Sequence, residues 1–157
     1  MNKKLAIEIV ESGVSTVAEL LEDKAPRTCE VIWGALKNPI EAKALHGAWT
    51  GRTLEIDIPE ENRDFDPDSI PLENATTTPI PGDILWEYIP KGRIRSLYDG
   101  VWNIVLAYGP EAVMRTPLGP QPANVWAQIR DNKEMFFEEC AKMWFGKAQT
   151  IRIKRIE

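Results

Sequence analysis

His46 is the only histidine in the chain, and it lies in a stretch whose apolar residues alternate as in a β-strand. Its neighbours on the same strand face, Ala44 and Ala48, are small and leave room beside an imidazole ring. Because histidine titrates near neutral pH, His46 is a candidate catalytic group that moves protons at a reacting amine or carbonyl. The alternative is a histidine whose nitrogens are satisfied within the wall of the fold, and the sequence leaves both interpretations open.

A polar corner around Glu73 and Asn74 is the second candidate. Pro79, Pro81 and Gly82 follow it, restrict the backbone to extended and turn geometry, and launch an apolar strand. A partly desolvated Glu73 would serve as a catalytic acid or base, and Asn74 would bind a substrate carbonyl oxygen. Turn capping by the same two side chains is the alternative.

Three more side chains are candidate substrate-binding groups. Trp49, at a strand end, offers an apolar wall for a ring, although tryptophan is more often a core residue. Tyr108 places a phenol at another strand end, where it either donates to a ligand or packs in the core. Arg115 lies in an irregular segment, where binding groups gather, and its guanidinium suits a carboxylate. It is a better anchor than Arg27, which is expected in the solvated first turn of a helix.

Hydrophobic alternation predicts that most of the chain forms short strands. Leu5, Ile7 and Ile9 mark the buried face of the first strand, and the last strand is expected to return and pair with it. The Asp99-Gly100 pair predicts a tight hairpin. The predicted strands cover residues 5–9, 14–21, 41–49, 52–58, 83–89, 94–98, 101–108 and 149–156.

Two segments have the helical period instead, each with one apolar stripe. Pro26 suits the first position of the first helix, which Asn38 and the following proline end. Asp131 and Glu134 predict a capping box for the second helix, which Gly146 ends. Many strands and two one-faced helices together predict a mainly β fold, a closed or nearly closed β-barrel with a helix at each end.

Composition narrows the classes of function. The 157 residues fit one domain over residues 1–157, and a net charge of -5 disfavours nucleic-acid and anionic-membrane partners, which leaves a small metabolite. Cys29 and Cys140 lack metal or redox spacing and predict buried free thiols in a reducing cytoplasm. We find no signal peptide, spanning segment, metal constellation, phosphate loop or dinucleotide fingerprint, so we expect no cofactor. An acidic loop, residues 59–71, and edge strands permit a homodimer without requiring one.

Several motifs together resemble an uncharacterised family of small bacterial cyclophilin-like proteins, over nearly the whole chain. The motifs are Ala25 to Thr28, Leu45 to Gly51, Glu73 to Thr76 with the prolines that follow, Ala107 to Pro110, Asn124 to Ala127, and Trp144 with Ala148-Gln149. The chain is also similar to the cyclophilin-like half of cucumopine synthase, which condenses histidine with 2-oxoglutarate in a Pictet-Spengler cyclisation. The resemblance implies a cyclophilin-like barrel and a cofactor-free condensation of an amino acid with a 2-oxo acid. Prolyl isomerisation is not expected, because Arg52 lacks the Phe, Gln and Gly-Gly-Asp that follow the arginine of prolyl isomerases.

These observations predict one cleft for a carboxylated metabolite, formed by the His46 strand, the polar corner and the segment from Tyr108 to Arg115. Within it, Glu73 and His46 would share the proton transfers and Arg115 would anchor a carboxylate. The alternative is a non-catalytic metabolite-binding module that uses the same cleft.

Overall fold

The computed structural model describes all 157 residues, and antiparallel strands are the main type of secondary structure. Two short 3₁₀ turns, Glu60–Asn62 and Pro67–Ser69, lie in the acidic loop. The helices are α1 (Pro26–Ala35) and α2 (Lys133–Ala141). The strands are β1 (Lys4–Ile9), β2 (Val14–Leu20), β3 (Ile40–His46), β4 (Thr53–Asp57), β5 (Ala75–Thr76), β6 (Asp83–Ile89), β7 (Val101–Ala107), β8 (Arg115–Thr116), β9 (Gly119–Pro120), β10 (Ala123–Ile129) and β11 (Thr150–Ile156).

Eight strands close into a barrel in the order β2, β1, β11, β3, β4, β7, β6 and β10, and β10 pairs back onto β2. At the closing seam, Ala127 lies opposite Leu20 and Ile129 opposite Ala18. β5 adds to β10 outside the ring, and β8 and β9 form a separate small hairpin. The predicted closed barrel and the predicted pairing of the last strand with the first are both confirmed.

Side-chain alternation fills the interior of the barrel. Leu5, Ile7 and Ile9 on β1 are fully buried, as are Leu54 and Ile56 on β4. They belong to a core of 27 buried residues to which nearly every strand and both helices contribute. A closed barrel of this size has no space for an internal channel, because its inward side chains meet at the centre.

One helix covers each end of the barrel. α1 packs against β10 where that strand begins, and the Cys29 thiol approaches the Trp126 carbonyl oxygen at 3.2 Å. α2 packs near the start of β2 at the opposite end, where Phe136 and Cys140 are buried. We call these the α1 end and the α2 end. Both cysteines are free and buried, as predicted, and neither helix reaches the length and hydropathy that crossing a bilayer requires.

A second apolar cluster lies on the outside of the barrel. Leu85 on β6 and Val105 on β7 face outward, and Ala112 and Met114, from the segment after β7, pack in the same cluster. That segment is fixed by the Met114 amide, which donates to the Thr77 carbonyl oxygen at 2.7 Å. Part of the outer barrel surface is therefore shielded from water.

Residues 94–98 do not form the predicted strand. The Leu97 amide donates to the Ile94 carbonyl oxygen and the Gly100 amide to that of Leu97, so the segment turns on itself. β7 pairs with β4 and β6, and the predicted hairpin lacks its first strand. The alternating pattern predicted that Ile94 and Tyr98 share one buried face of a strand. In the structure Ile94 is buried, whereas Tyr98 is 83% exposed.

The capping box predicted for α2 is also absent. Asn132 occupies the N-cap position with a left-handed φ of 49°, and its side chain donates to the Ser15 carbonyl oxygen instead of capping the helix. The Asp131 carboxylate accepts from the Asn132 amide, just before the helix. A contact with β2 therefore replaces the local capping signal. The first helix does begin at Pro26, as predicted.

Truncating Ile104 tests the barrel core. Ile104 is fully buried on β7, so Ile104→Ala should lower the free energy of unfolding by about 3 kcal/mol through lost burial and a cavity. Leu118→Ala, at a 75% exposed position, is the matched control and should change it by less than about 0.5 kcal/mol. Urea unfolding of both variants measures the difference, and equal effects would contradict the core assignment.

Candidate functional site

A group of carboxyl side chains lies on the outside of the barrel, across β4, β7 and β6. Glu87 on β6 is directly opposite Asn103 on β7, and Asn103 is directly opposite Asp57 on β4. Glu55, the next outward residue of β4, lies diagonally from Asn103. We call these four residues the carboxyl face. No group of three or more His, Cys, Asp and Glu side chains has the arrangement of a metal site.

Strand alternation turns these side chains outward. Trp86 belongs to the barrel core and Tyr88 packs against it, so Glu87 between them points to the other side of β6. Glu87 is nevertheless only 8% exposed and Asn103 only 9%. Burial of a carboxylate without a cationic partner is costly, which favours the protonated form.

The pKa values on the carboxyl face are all raised. Burial raises the pKa of Glu87 from 4.5 to about 7; the charge of Glu55 adds to this, and a hydrogen bond from Asn103 opposes it. Burial also raises the pKa of Glu55. The pKa of Asp57 is raised by burial too, although the nearby Arg63 guanidinium opposes the shift. Such a concentration of perturbed carboxyl groups is typical of sites that move protons.

Glu87 is therefore suited to proton transfer near neutral pH. A carboxyl group with a pKa of about 7 is present in both protonation states, so it can donate a proton in one step and accept one in the next. No sequence motif predicted Glu87 as a candidate. Two features of the sequence could have indicated it. Glu87 is a single glutamate inside the largely apolar strand Asp83–Ile89, and the neighbouring strand Val101–Ala107 contains a single asparagine, Asn103.

Trp49 and Arg115 lie together beside the start of β4. The Trp49 indole donates to the Arg115 carbonyl oxygen at 3.1 Å, and the Arg115 Nε donates to the Trp49 carbonyl oxygen at 2.5 Å. Both side chains are exposed, and Arg115 forms no ion pair, so its terminal nitrogens remain available for a carboxylate. Their substrate-binding roles stay predictions.

His46 and Tyr108 form a pair at the α2 end. β3 ends at His46, short of the predicted boundary, and His46 Nε2 lies 2.5 Å from the Tyr108 hydroxyl. Its Nδ1 lies 3.0 Å from the Gly47 carbonyl oxygen, so the neutral ring donates there and accepts from Tyr108. Burial raises the pKa of Tyr108 to about 12, and the Trp144 ring packs 4.6 Å from the imidazole. This is the arrangement of a histidine satisfied in the barrel wall, and the predicted catalytic role of His46 is untested.

Glu73 lies at the opposite, α1 end and caps α1. Its carboxylate accepts from the Thr28 amide at 2.5 Å and from the Thr28 hydroxyl at 2.8 Å. Thr28 is in the first turn of the helix, and the N-cap residue Ala25 has no side chain that could cap it. The buried Asn124 holds the same segment by accepting from the Glu73 amide at 3.1 Å. A carboxylate at this position satisfies a free helical amide and the positive end of the helix dipole.

Asn74 forms a turn beside β10. Its backbone adopts a left-handed φ of 48°, and its side-chain amide donates to the Val125 carbonyl oxygen at 2.8 Å. The Val125 amide in turn donates to the Asn74 carbonyl oxygen at 3.2 Å. The exposed Asn74 side chain therefore hydrogen-bonds to the backbone of β10, and its predicted substrate-binding role stays a prediction.

The single cleft predicted from the sequence is not formed. His46 and Tyr108 lie at the α2 end, whereas Glu73 caps the helix at the α1 end. Strands of five to seven residues, or about 17 to 23 Å, separate the two ends. The structure brings together His46 with Tyr108 and Trp49 with Arg115, and it does not bring Glu73 to either pair.

Family membership follows from the sequence. A family model described as a protein of unknown function, DUF3830, matches residues 7–155. The chain belongs to the DUF3830 family. A search of curated proteins finds no match.

Solved structures with the same barrel place the DUF3830 chain among cyclophilin-like folds. A structure described as McbB in complex with tryptophan matches with a TM-score of 0.66 at 18% identity, over 96% of this chain and 44% of that one. The solution structure of a hypothetical protein from Archaeoglobus fulgidus matches with a TM-score of 0.56 at 20% identity, over 99% and 95% of the two chains. The chain spans less than half of the McbB chain. At these identities the likeness confirms the predicted cyclophilin-like fold.

Removing the Glu73 carboxylate should destabilise the protein. Glu73→Ala leaves the Thr28 amide without an acceptor at the start of α1, so we expect the free energy of unfolding to fall by about 2 kcal/mol. Glu60→Ala, an exposed glutamate in a 3₁₀ turn, is the control and should change stability little. Thermal and urea unfolding measure both, and an unchanged stability in Glu73→Ala would show that the cap contributes nothing.

Glu87 should make the protein less stable as the pH rises. Its pKa is raised on folding from 4.5 to about 7, so the native state binds the extra proton between these values. The stabilisation is complete below pH 4.5 and lost as the pH passes 7, a change of about 3 kcal/mol. Urea unfolding at pH 5 and pH 8 should show this loss in the wild type and in the Glu60→Gln control. A Glu87→Gln variant with the same loss would refute the assignment.

Proposed function

We propose that the protein is a cofactor-free acid-base enzyme that condenses an amino acid with a 2-oxo acid on the outside of its barrel. Glu87, rather than Glu73 or His46, is the group that transfers protons. The observation that carries the proposal is a carboxyl group, 8% exposed and with a pKa of about 7, on a face with two further raised carboxyl pKa values.

The reaction asks for one group that acts first as an acid and then as a base. The amine of the amino acid adds to the ketone, and the resulting hydroxyl leaves as water when Glu87 gives it a proton, which forms an iminium ion. A nucleophilic ring carbon of the amino acid then bonds to the iminium carbon. The Glu87 carboxylate takes the proton from that ring carbon, which restores aromaticity and returns Glu87 to its acid form. The net change is the loss of one water, and it needs no oxidant or reductant.

Neighbouring groups keep Glu87 in this role. The negative charge of Glu55 raises the pKa of Glu87, whereas Asn103, directly opposite Glu87 on β7, opposes this shift. Arg115 and Trp49 lie beside the start of β4, at the other end of that strand from Asp57 and the row of residues that includes Glu87, so the proton transfer is assigned to the carboxyl face alone. The fold shared with a protein whose structure contains tryptophan supports an amino acid as one reactant.

Incubation with paired amino acids and 2-oxo acids tests the reaction. Chiral chromatography coupled to mass spectrometry should find a single-stereoisomer product at the summed mass minus one water, with histidine and 2-oxoglutarate among the pairs. Glu87→Gln should lower turnover by about a hundredfold or more, the usual contribution of a general acid-base group. Glu60→Gln should retain wild-type turnover. No product above the enzyme-free background in any pair would refute the reaction and leave the alternative, a non-catalytic metabolite-binding module.

The pH dependence of turnover should report on Glu55. Because its charge raises the pKa of Glu87, Glu55→Gln should move the kcat/KM limb governed by Glu87 to lower pH. Glu41→Gln, on the neighbouring strand β3, should leave the limb in place. A limb that stays at the wild-type pH in Glu55→Gln would show that the two carboxyl groups are not coupled.

A further inference from the structure

A cavity of about 530 Å³ opens at the rim of the barrel, on the side of β6 away from the Glu87 carboxyl. It lies between the loop that contains Asp68 and Ile70, the turn that contains Arg93, and the segment that leads into β10. Its volume falls in the range of small-ligand pockets, about 300 to 1,000 Å³. None of the catalytic or substrate-binding residues predicted from the sequence lines this cavity.

The floor of the cavity is aromatic and firmly supported. Trp86 and Tyr88 line it with their rings stacked 6.3 Å apart at an interplanar angle of 9°. Trp86 is held from behind by Phe65 and Trp102 in edge-to-face contacts. Asn124 completes the inner wall, where its side-chain amide donates to the Pro71 carbonyl oxygen at 2.8 Å and fixes the loop. The apolar surface for a ligand body is therefore already formed.

Two opposite charges line the same cavity without neutralising each other. Arg93 and Asp68 are both exposed lining residues, and neither forms an ion pair. Burial raises the pKa of Tyr88, and the negative charges of Asp68 and Asp66 raise it further. The Asp68 carboxylate is therefore close enough to influence the Tyr88 hydroxyl. Because the two charged groups line one cavity and are not paired with each other, each is free to pair with the opposite charge of a ligand.

We infer that this rim cavity binds an apolar α-amino acid in its zwitterionic form. The ligand carboxylate pairs with Arg93, its ammonium group pairs with Asp68, and its side chain lies on Trp86 and Ile70. This is a second ligand site, which goes beyond the proposed reaction, because the Glu87 carboxyl projects from the other face of β6 and cannot reach the occupant.

Titration with L-phenylalanine tests the inference. The indole N–H signal of Trp86 in a two-dimensional NMR spectrum, assigned as the one of six tryptophan signals that disappears in Trp86→Phe, should shift and saturate. Affinity should fall about tenfold in Arg93→Gln and in Asp68→Asn, the usual effect of losing one charge-assisted hydrogen bond. Arg95→Gln and Asp99→Asn, two exposed charges that do not line the cavity, are the matched controls and should bind as the wild type does.

Analogues with one charge separate the two contacts. 3-Phenylpropionate, which lacks the ammonium group, should bind about tenfold more weakly than L-phenylalanine and be insensitive to Asp68→Asn. 2-Phenylethylamine, which lacks the carboxylate, should be equally weakened and insensitive to Arg93→Gln. The inference is overturned by the absence of a saturable Trp86 shift at millimolar ligand, by equal binding of either analogue, or by unchanged binding in Arg93→Gln. Glu87→Gln should not affect this binding, so a failure here is distinguishable from a failure of the proposed reaction.

Discussion

Closure of the barrel through β10 and β2 is the constraint on which the rest of the structure depends. Once the ring is closed, every inward position must be filled by side chains that pack, and the interior holds the 27-residue core and no channel. Polar chemistry is then restricted to the outer face and the two rims. The carboxyl face shows the consequence most clearly, since burial on the outer face of the barrel raises the pKa values of its carboxyl groups.

Alternation was sufficient to predict the barrel because each of the eight barrel strands contributes buried apolar residues to the core. The alternating residues Leu5, Ile7 and Ile9 are fully buried, and β1 pairs with β11 as predicted. The same rule failed at residues 94–98. Apolar residues there alternate as in a strand, but local hydrogen bonds fold the segment into a turn. Periodicity records which side chains are apolar, and it does not record whether a neighbouring strand is present to pair with them.

The candidate site was harder to predict because its groups meet across long stretches of chain. Glu73 was predicted as a catalytic group because it is ionisable and lies near a rigid corner. In the structure its carboxylate accepts from the Thr28 amide, on a helix whose own N-cap residue is an alanine. Glu87 was not predicted as a site residue, because a single glutamate in an apolar strand does not form a recognisable motif. Its significance appears only when the register sets it opposite Asn103 and near Glu55. Spacing along the sequence identifies chemistry that is local, whereas both of these interactions are tertiary.

The pairing of β1 with β11 also has a consequence for the order of folding. Lys4 lies opposite Ile156 and Ile9 opposite Ile151, so the ring cannot close until two segments that are far apart in the sequence meet. Such non-local pairing is slow, because loop-closure entropy is lost before the contacts that compensate for it form. During synthesis the β1-β2 hairpin is made well before β11, so one edge of β1 stays unpaired until β11 is available. Over that interval the free edge is a template for pairing with other chains, so the nascent protein should depend on rapid completion or on chaperones more than a helical protein of equal length.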